Sequence, residues 1–201
     1  MRSFSKRLVW ASASAILLIL SAQLAGADDA KDQEKAAKER AEIDSNAAMI
    51  LKEFQGMKGG TEAYNKAAGY AIFKVTKAGF VGSGAGGGGV AVDKKTGART
   101  YMRMGSAGVG LSFGVSFYDV VILFETQQKF DAFAKGGWDS SATAQAAAGT
   151  KGAEVSSTFF DGVAYYQFGK KGLMASADVS GTKFWVDDLN AKKPAETAPP
   201  K

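Results

Sequence analysis

The sequence predicts an α+β fold: a strongly twisted, largely antiparallel, glycine-rich sheet, open or partly closed as a barrel, with an N-terminal amphipathic helix and a further helix packed on it. Three observations lead there. Two glycine-dense stretches, Gly79 to Gly89 and Gly105 to Gly114, lie inside strand-like sequence. Glycine in a strand costs backbone entropy, so it needs a compensating gain such as tight sheet curvature or close packing. Apolar residues recur at helical intervals ahead of these tracts, and alternating or continuous apolar runs follow them.

The elements follow in order. From Asp28 to about Lys58 the chain is charged and alanine-rich, with Glu34 and Lys38 spaced to pair on one helical face. Ile43, Ile50, Leu51 and Phe54 form an apolar stripe that Ala47 shares, which predicts a long amphipathic helix frayed at its start. Gly56, Gly59 and Gly60 end it, and Thr61 is placed to cap a second, shorter helix. Strand character begins near Tyr70 and runs through Phe80 and the first glycine tract to Val92. Asp93 to Gly97 reads as a turn, with Arg99 to Met104 as the returning strand. Leu111 to Phe117 alternates large apolar with small or polar residues, Asp119 interrupts, and Val120 to Phe124 is the apolar run of a buried central strand. Thr126 caps a helix carrying Phe130 and Phe133, closed by Gly136 and Gly137. Ser141 to Ala148, Val155 to Phe160, Val163 to Phe168 and Leu173 to Val186 return to sheet. The tail 191–201 lacks apolar periodicity and is expected to be disordered.

Residues 1–27 combine a basic start (Arg2, Lys6, Arg7), an apolar run around Ile16 to Leu20 and the small-residue site Ala25-Gly26-Ala27. That order reads as a secretory signal cut after Ala27, with an uncleaved N-terminal anchor as the alternative. Export to the periplasm or beyond follows as an expectation. The net charge of +5 falls to +2 without those three basic residues, so the apparent basicity belongs mostly to the signal. The remaining lysines are dispersed, which argues against nucleic acid as a partner.

The chain has no histidine and no cysteine, which removes imidazole bases, thiol nucleophiles, disulfides and the commonest transition-metal sites. No catalytic residue, metal ligand or cofactor is expected. Gly82, Gly84 and Gly87, and again Gly84, Gly86 and Gly89, satisfy G-x-G-x-x-G, but Val90-Ala91-Val92 and a turn follow where a nucleotide site needs a helix. Asp119, Glu125 and the pair Asp187-Asp188 stand at strand ends without a ligand-dense loop, as turn formers and solvated charges do.

From about Ala47 to Asn190 the order of features resembles the SYLF domain family, a lipid-binding module of a yeast actin regulator, its animal relatives and many exported bacterial proteins. The pieces are Ala67-Ala68-Gly69-Tyr70-Ala71-Ile72-Phe73, Lys77-Ala78-Gly79-Phe80, Gly105 to Gly110, Asp119 to Phe124, Lys171 to Ala175, and Ser180-Gly181. The organisation is then a signal over 1–27, the first part of the charged helix over 28–46, a SYLF-like domain over 47–190 and a tail over 191–201. The resemblance implies anionic lipid as ligand, phosphoinositide in eukaryotic members, bound with help from an N-terminal amphipathic helix and nearby basic residues. Actin is a partner of yeast-type members; an exported chain would be separated from cytosolic actin and phosphoinositides.

Candidate binding residues are Lys58, Lys66, Lys74 and Lys77, which cluster in sequence at the helix-to-sheet junction and suit lipid phosphates. The stripe Ile43, Ile50, Leu51 and Phe54 is the candidate membrane-facing surface, set against the plainer reading that it packs on its own sheet. Lys94, Lys95 and Arg99 at a turn, and Lys170 and Lys171, are further candidates of the same kind. The alternative to a lipid-binding protein is a structural or protein-interaction module of the cell envelope with a protein partner and no lipid ligand.

Overall fold

The computed structural model describes residues 8–79, 83–108, 114–138, 155, 158–169, 172–173 and 182–191, with backbone alone for 8–29, 79, 83, 108 and 172–173. The elements are α1 (Leu8–Gly56), α2 (Gly60–Lys66), β1 (Gly69–Gly79), β2 (Ser83–Asp93), β3 (Arg99–Gly108) and β4 (Gly114–Phe124). They continue with α3 (Gln127–Gly136), β5 (Val163–Gly169), β6 (Gly172–Leu173), β7 (Thr182–Val186) and a 3-10 turn, Asp188–Asn190. The chain divides into two units within α1, between Glu39 and Arg40. In the first, the Lys38 Nζ to Glu34 Oε1 pair forms at 2.7 Å, as the spacing predicts. The helix is continuous from Leu8, so the frayed start expected near Asp28 is not what the chain does. Among the described residues no helix is long and apolar enough to cross a membrane.

The second unit, Arg40–Ala191, holds a seven-stranded sheet in the order β6-β5-β4-β1-β2-β3-β7. Each neighbouring pair is antiparallel. The α+β expectation holds, but the sheet is open, ending at β6 and β7, and does not close into a barrel. Alternate residues of a strand point to opposite faces, and directly paired residues share a face. One face carries Phe73, Val75, Met102, Val120, Ile122, Phe124, Tyr165 and Phe184, buried together with Phe130 and Phe133 of α3. The Phe124 and Phe133 rings lie 5.0 Å apart and the Phe133 and Phe184 rings 5.7 Å apart. The opposite face receives the Arg40–Gly56 part of α1, where Phe54 is fully buried with its ring 4.9 Å from that of Tyr166.

Two local expectations hold for their stated reasons. Asp93 Oδ1 accepts from the backbone N–H groups of Lys95 and Thr96, making the side-chain-stabilised turn between β2 and β3. Thr126 Oγ1 accepts from the Lys129 N–H at the start of α3, and Gly137, at φ 69°, ends it with its N–H on Phe133 O at 2.7 Å.

Others are corrected. The cap of α2 is Gly59, at φ 86°, while Thr61 Oγ1 donates to Gln55 O at 2.9 Å. The run from Tyr70 to Val92 is two strands, because Gly79 pairs with Ser83 and the chain reverses between them. Asp119 does not interrupt β4, which passes through it unbroken. Val155 to Phe160 is not a strand: Thr158 and Phe159 are irregular, and Phe160 makes a single bridge to Val163. The expected strand 141–148, most of the run between β6 and β7, and the tail from residue 192 lie outside the described residues.

Glycine is dictated by space at Gly89, where a Cβ would collide with the Ile72 carbonyl and the Phe73 ring, and at Gly87, where it would meet Lys74 O. At Gly86 and Gly84 the nearest atoms to such a Cβ are Met104 O at 3.7 Å and Ser106 O at 3.9 Å, which is ordinary contact. Packing does not require glycine there.

Candidate functional site

The four junction lysines do not form one cluster. Lys58 lies exposed in the turn after α1, where its carbonyl accepts from Val155 N–H at 3.1 Å. Lys66 Nζ pairs with Glu62 Oε1 one helical turn back on α2, at 2.9 Å. Lys74 and Lys77 are both on β1, but three residues apart and therefore on opposite faces. Lys74, exposed on the α1 face, donates to Asn46 Oδ1 of α1 at 3.1 Å. Lys77 projects on the α3 face, beside Ala85 and Ser116 in register.

The α1 stripe faces the sheet. Ile43, Ala47, Ile50 and Phe54 are buried, and Leu51 is half-buried. Side chains hold this part of α1 down at its start: Arg40 Nη1 donates to Leu189 O at 3.0 Å, and Asp44 Oδ2 accepts from Arg99 Nη1 at 2.9 Å and Tyr101 Oη at 3.0 Å. Arg99 is thus part of the helix clamp. Lys94 is likewise structural, its Nζ donating to the carbonyls of Tyr64 and Ala67 at 2.7 and 2.8 Å while lying 4.1 Å from the Tyr64 ring centroid. Burial pushes its pKa down. Lys170 and Lys171 fall outside the described residues.

Sequence reasoning missed an apolar surface. Where α1 ends its cover, the sheet face it shares runs on bare: Val115 and Phe117 of β4 are 62% and 64% exposed. Phe117 pairs with Thr76, Thr76 with Gly86, Gly86 with Gly105, and Gly105 with Lys183. The next row is Val115, Ala78, Gly84 and Ala107. All of these are exposed except the half-buried Gly105, over which the Trp185 ring lies at 3.0 Å from where a Cβ would stand. The alternation of Leu111 to Phe117 suggested an inward face. The contrary signal was Asp119, next to Phe117 on the same face of β4, although Val121 and Leu123 further along that face are buried.

At the boundary between covered and bare face stands Asp119, paired in register with Lys74. Desolvation raises its carboxyl pKa and Glu53 on α1 adds to the rise, with Lys74 opposing. Asp93, in contrast, is held below the usual carboxylate range, first by the Thr96 backbone N–H and then by the Lys95 N–H and the Gln127 amide. Tyr165 and Tyr166 are buried and their phenol pKa values are pushed up, which removes them as bases at ordinary pH. Among the described residues no three acidic side chains converge as a metal-ligand set. Among the described residues the arrangement offers surfaces for contact.

Known proteins resemble this chain in part. A family model described as Ysc84, Las17-binding protein actin regulator, matches residues 105–193, from the second half of β3 to just past the 3-10 turn. Beta cell expansion factor A of Aeromonas veronii is 43% identical over 124 residues, which is 62% of this chain and 48% of that protein. The chain therefore spans about half the length of the curated relative it matches. The match takes in β4 with Val115 and Phe117, α3, and β5 to β7, the part of the fold on which the resemblance through Asp119 to Phe124 rested. On these grounds residues 105–193 are similar to the Ysc84 (SYLF) family.

Proposed function

We propose that this protein is exported and works without catalysis, by associating with anionic lipid at a membrane surface. The observation that carries the reading is the match of residues 105–193 to a family whose modules are of a lipid-binding, actin-regulator-like kind. The signal-like pattern over residues 1–27 adds export, to the periplasm or the extracellular space, and export would take the chain away from cytosolic actin. Exposed Lys58, Lys66 and Lys74 supply cations, each contributing about 1 kcal/mol near an anionic surface. Co-sedimentation of the purified protein with vesicles tests this. Recovery should be greater with phosphatidylglycerol-containing vesicles than with phosphatidylcholine alone at low salt, and should fall as salt rises. Equal recovery with both would refute a charge-based attachment.

A second reading is a protein-interaction module of the cell envelope without a lipid ligand. It is favoured by the burial of Ile43, Ile50 and Phe54, which makes α1 a core element in place of a membrane-facing one. A stable envelope partner that co-purifies with a protein unable to bind either vesicle would decide for it.

A further inference from the structure

The bare end of the sheet carries an inference beyond general membrane attachment, resting on the lipid reading above. We infer that the uncovered α1-side face, with Val115 and Phe117 at its centre, is the surface that enters an anionic bilayer, and that α1 stays in the core.

Three features converge. First, Val115 and Phe117 stand on a face whose neighbouring positions on β1 and β2 are Thr76, Ala78, Gly84 and Gly86, so on that side, among the described residues, they have no large side chain to lean on. An exposed phenylalanine beside an exposed valine contributes nothing to the core and marks a contact surface. Second, glycine at Gly84 and Gly86 is not required by packing, and a flat, low floor results next to the two apolar projections. From β4 to β7 this face spans four strand spacings, about 19 Å. Third, the chemistry fits anionic lipid. Residues 75–79, 83–87, 104–108 and 114–118 contain no carboxylate, and their only charged residue is Lys77. Lys77 projects on the opposite, α3 face, and exposed Lys183 is the cation on the bare face itself, beside Gly105. Apolar projections with lysine and hydroxyl groups on the same face, the nearest carboxylate of β4 being half-buried Asp119 at the covered boundary, are the composition of a surface that sits at the headgroup and acyl boundary. The exposed aromatic ring of Trp185, at the far side of the glycine floor, suits the same depth.

The test compares the full chain with three variants on vesicles of mixed phosphatidylglycerol and phosphatidylcholine. Val115→Ser with Phe117→Ser should weaken binding about tenfold or more while the thermal melt stays where it was, since neither side chain is buried. Phe117→Trp should keep binding and add a fluorescence component that shifts blue on vesicle addition. Met49→Ser, which removes an exposed apolar side chain from α1, should leave binding unchanged. Full binding by the serine pair, or an equal loss with Met49→Ser, overturns the assignment of this face while leaving lipid binding itself in place. A wild-type protein that binds no vesicle overturns both. A wild-type dimer that the serine pair converts to a monomer, with vesicle binding intact, makes the face a protein interface and likewise overturns the proposal.

Discussion

Strand β4 is packed on both faces from Val120 to Phe124, and from Gly114 to Phe117 it is exposed. Its neighbour two places away, β2, shows the same contrast in its glycines: Gly87 and Gly89 are demanded by the backbone of β1, whereas Gly84 and Gly86 are not. One half of the sheet is therefore a conventional core sandwiched between α1 and α3. The other half is the same sheet continued beyond its covering helix. In the covered half glycine lets atoms approach. In the bare half glycine removes side chains from a surface, which packing at Gly84 and Gly86 does not require. The two halves should respond differently to substitution.

The largest expected effect lies under α1. Phe54 is fully buried between the helix and the rings of Tyr166 and Phe168, at 4.9 and 6.4 Å. Phe54→Ala should lower unfolding free energy by about 3–5 kcal/mol, read from urea denaturation. A loss near zero would mean that α1 rests loosely on the sheet, and the distinction between covered and bare halves would fail. The serine pair at Val115 and Phe117 should leave the same measurement almost unchanged.

The glycines sharpen the contrast within a single strand. Gly89→Ala drives a methyl group into the Ile72 carbonyl and the Phe73 ring, and should cost at least about 2 kcal/mol, because neither backbone nor packed ring has room to move. Gly86→Ala should be neutral or stabilise by up to about 1 kcal/mol, since the Cβ meets only ordinary contact and the unfolded chain loses freedom. Equal costs at the two sites, measured by the same denaturation, would show that the bare half is packed after all.

How much of this was legible beforehand depends on how local the determining physics is. The turn at Asp93 to Gly97 and the caps of α3 were readable because a short side chain and its own backbone decide them. The reversal between β1 and β2 was not, because Phe80 and Val81, which lie between the paired Gly79 and Ser83, are strand-forming residue types and read as a continuation of the strand. Lys74 and Lys77 looked like neighbours in sequence, yet their odd separation already placed them on opposite faces. Alternation in β4 identified two faces but could not say which one a helix would cover, and that depends on where α1 crosses the sheet. The family resemblance anticipated the module but named α1 as the contact surface, and burial of Ile43, Ile50 and Phe54 points elsewhere.

The smallest effect is at the boundary residue itself. Asp119 lies half-buried in β4, where desolvation and Glu53 outweigh Lys74 and raise its pKa. A carboxyl whose folded pKa is raised is protonated more readily in the folded state. Its contribution is fully present below the unfolded value of about 3.9 and is lost as pH rises through the folded value. Asp119→Asn keeps the shape of the protonated form without the charge, so the variant should exceed the wild type in stability at neutral pH, by less than about 1 kcal/mol. Below about pH 3 the two should converge, because the wild-type carboxyl is then mostly neutral in both states. Paired urea titrations at the two pH values read this difference directly. A gain at neutral pH places Asp119 inside the covered half, as its desolvation implies; equal stability at both pH values would move the boundary one row inward and give Asp119 to the bare surface.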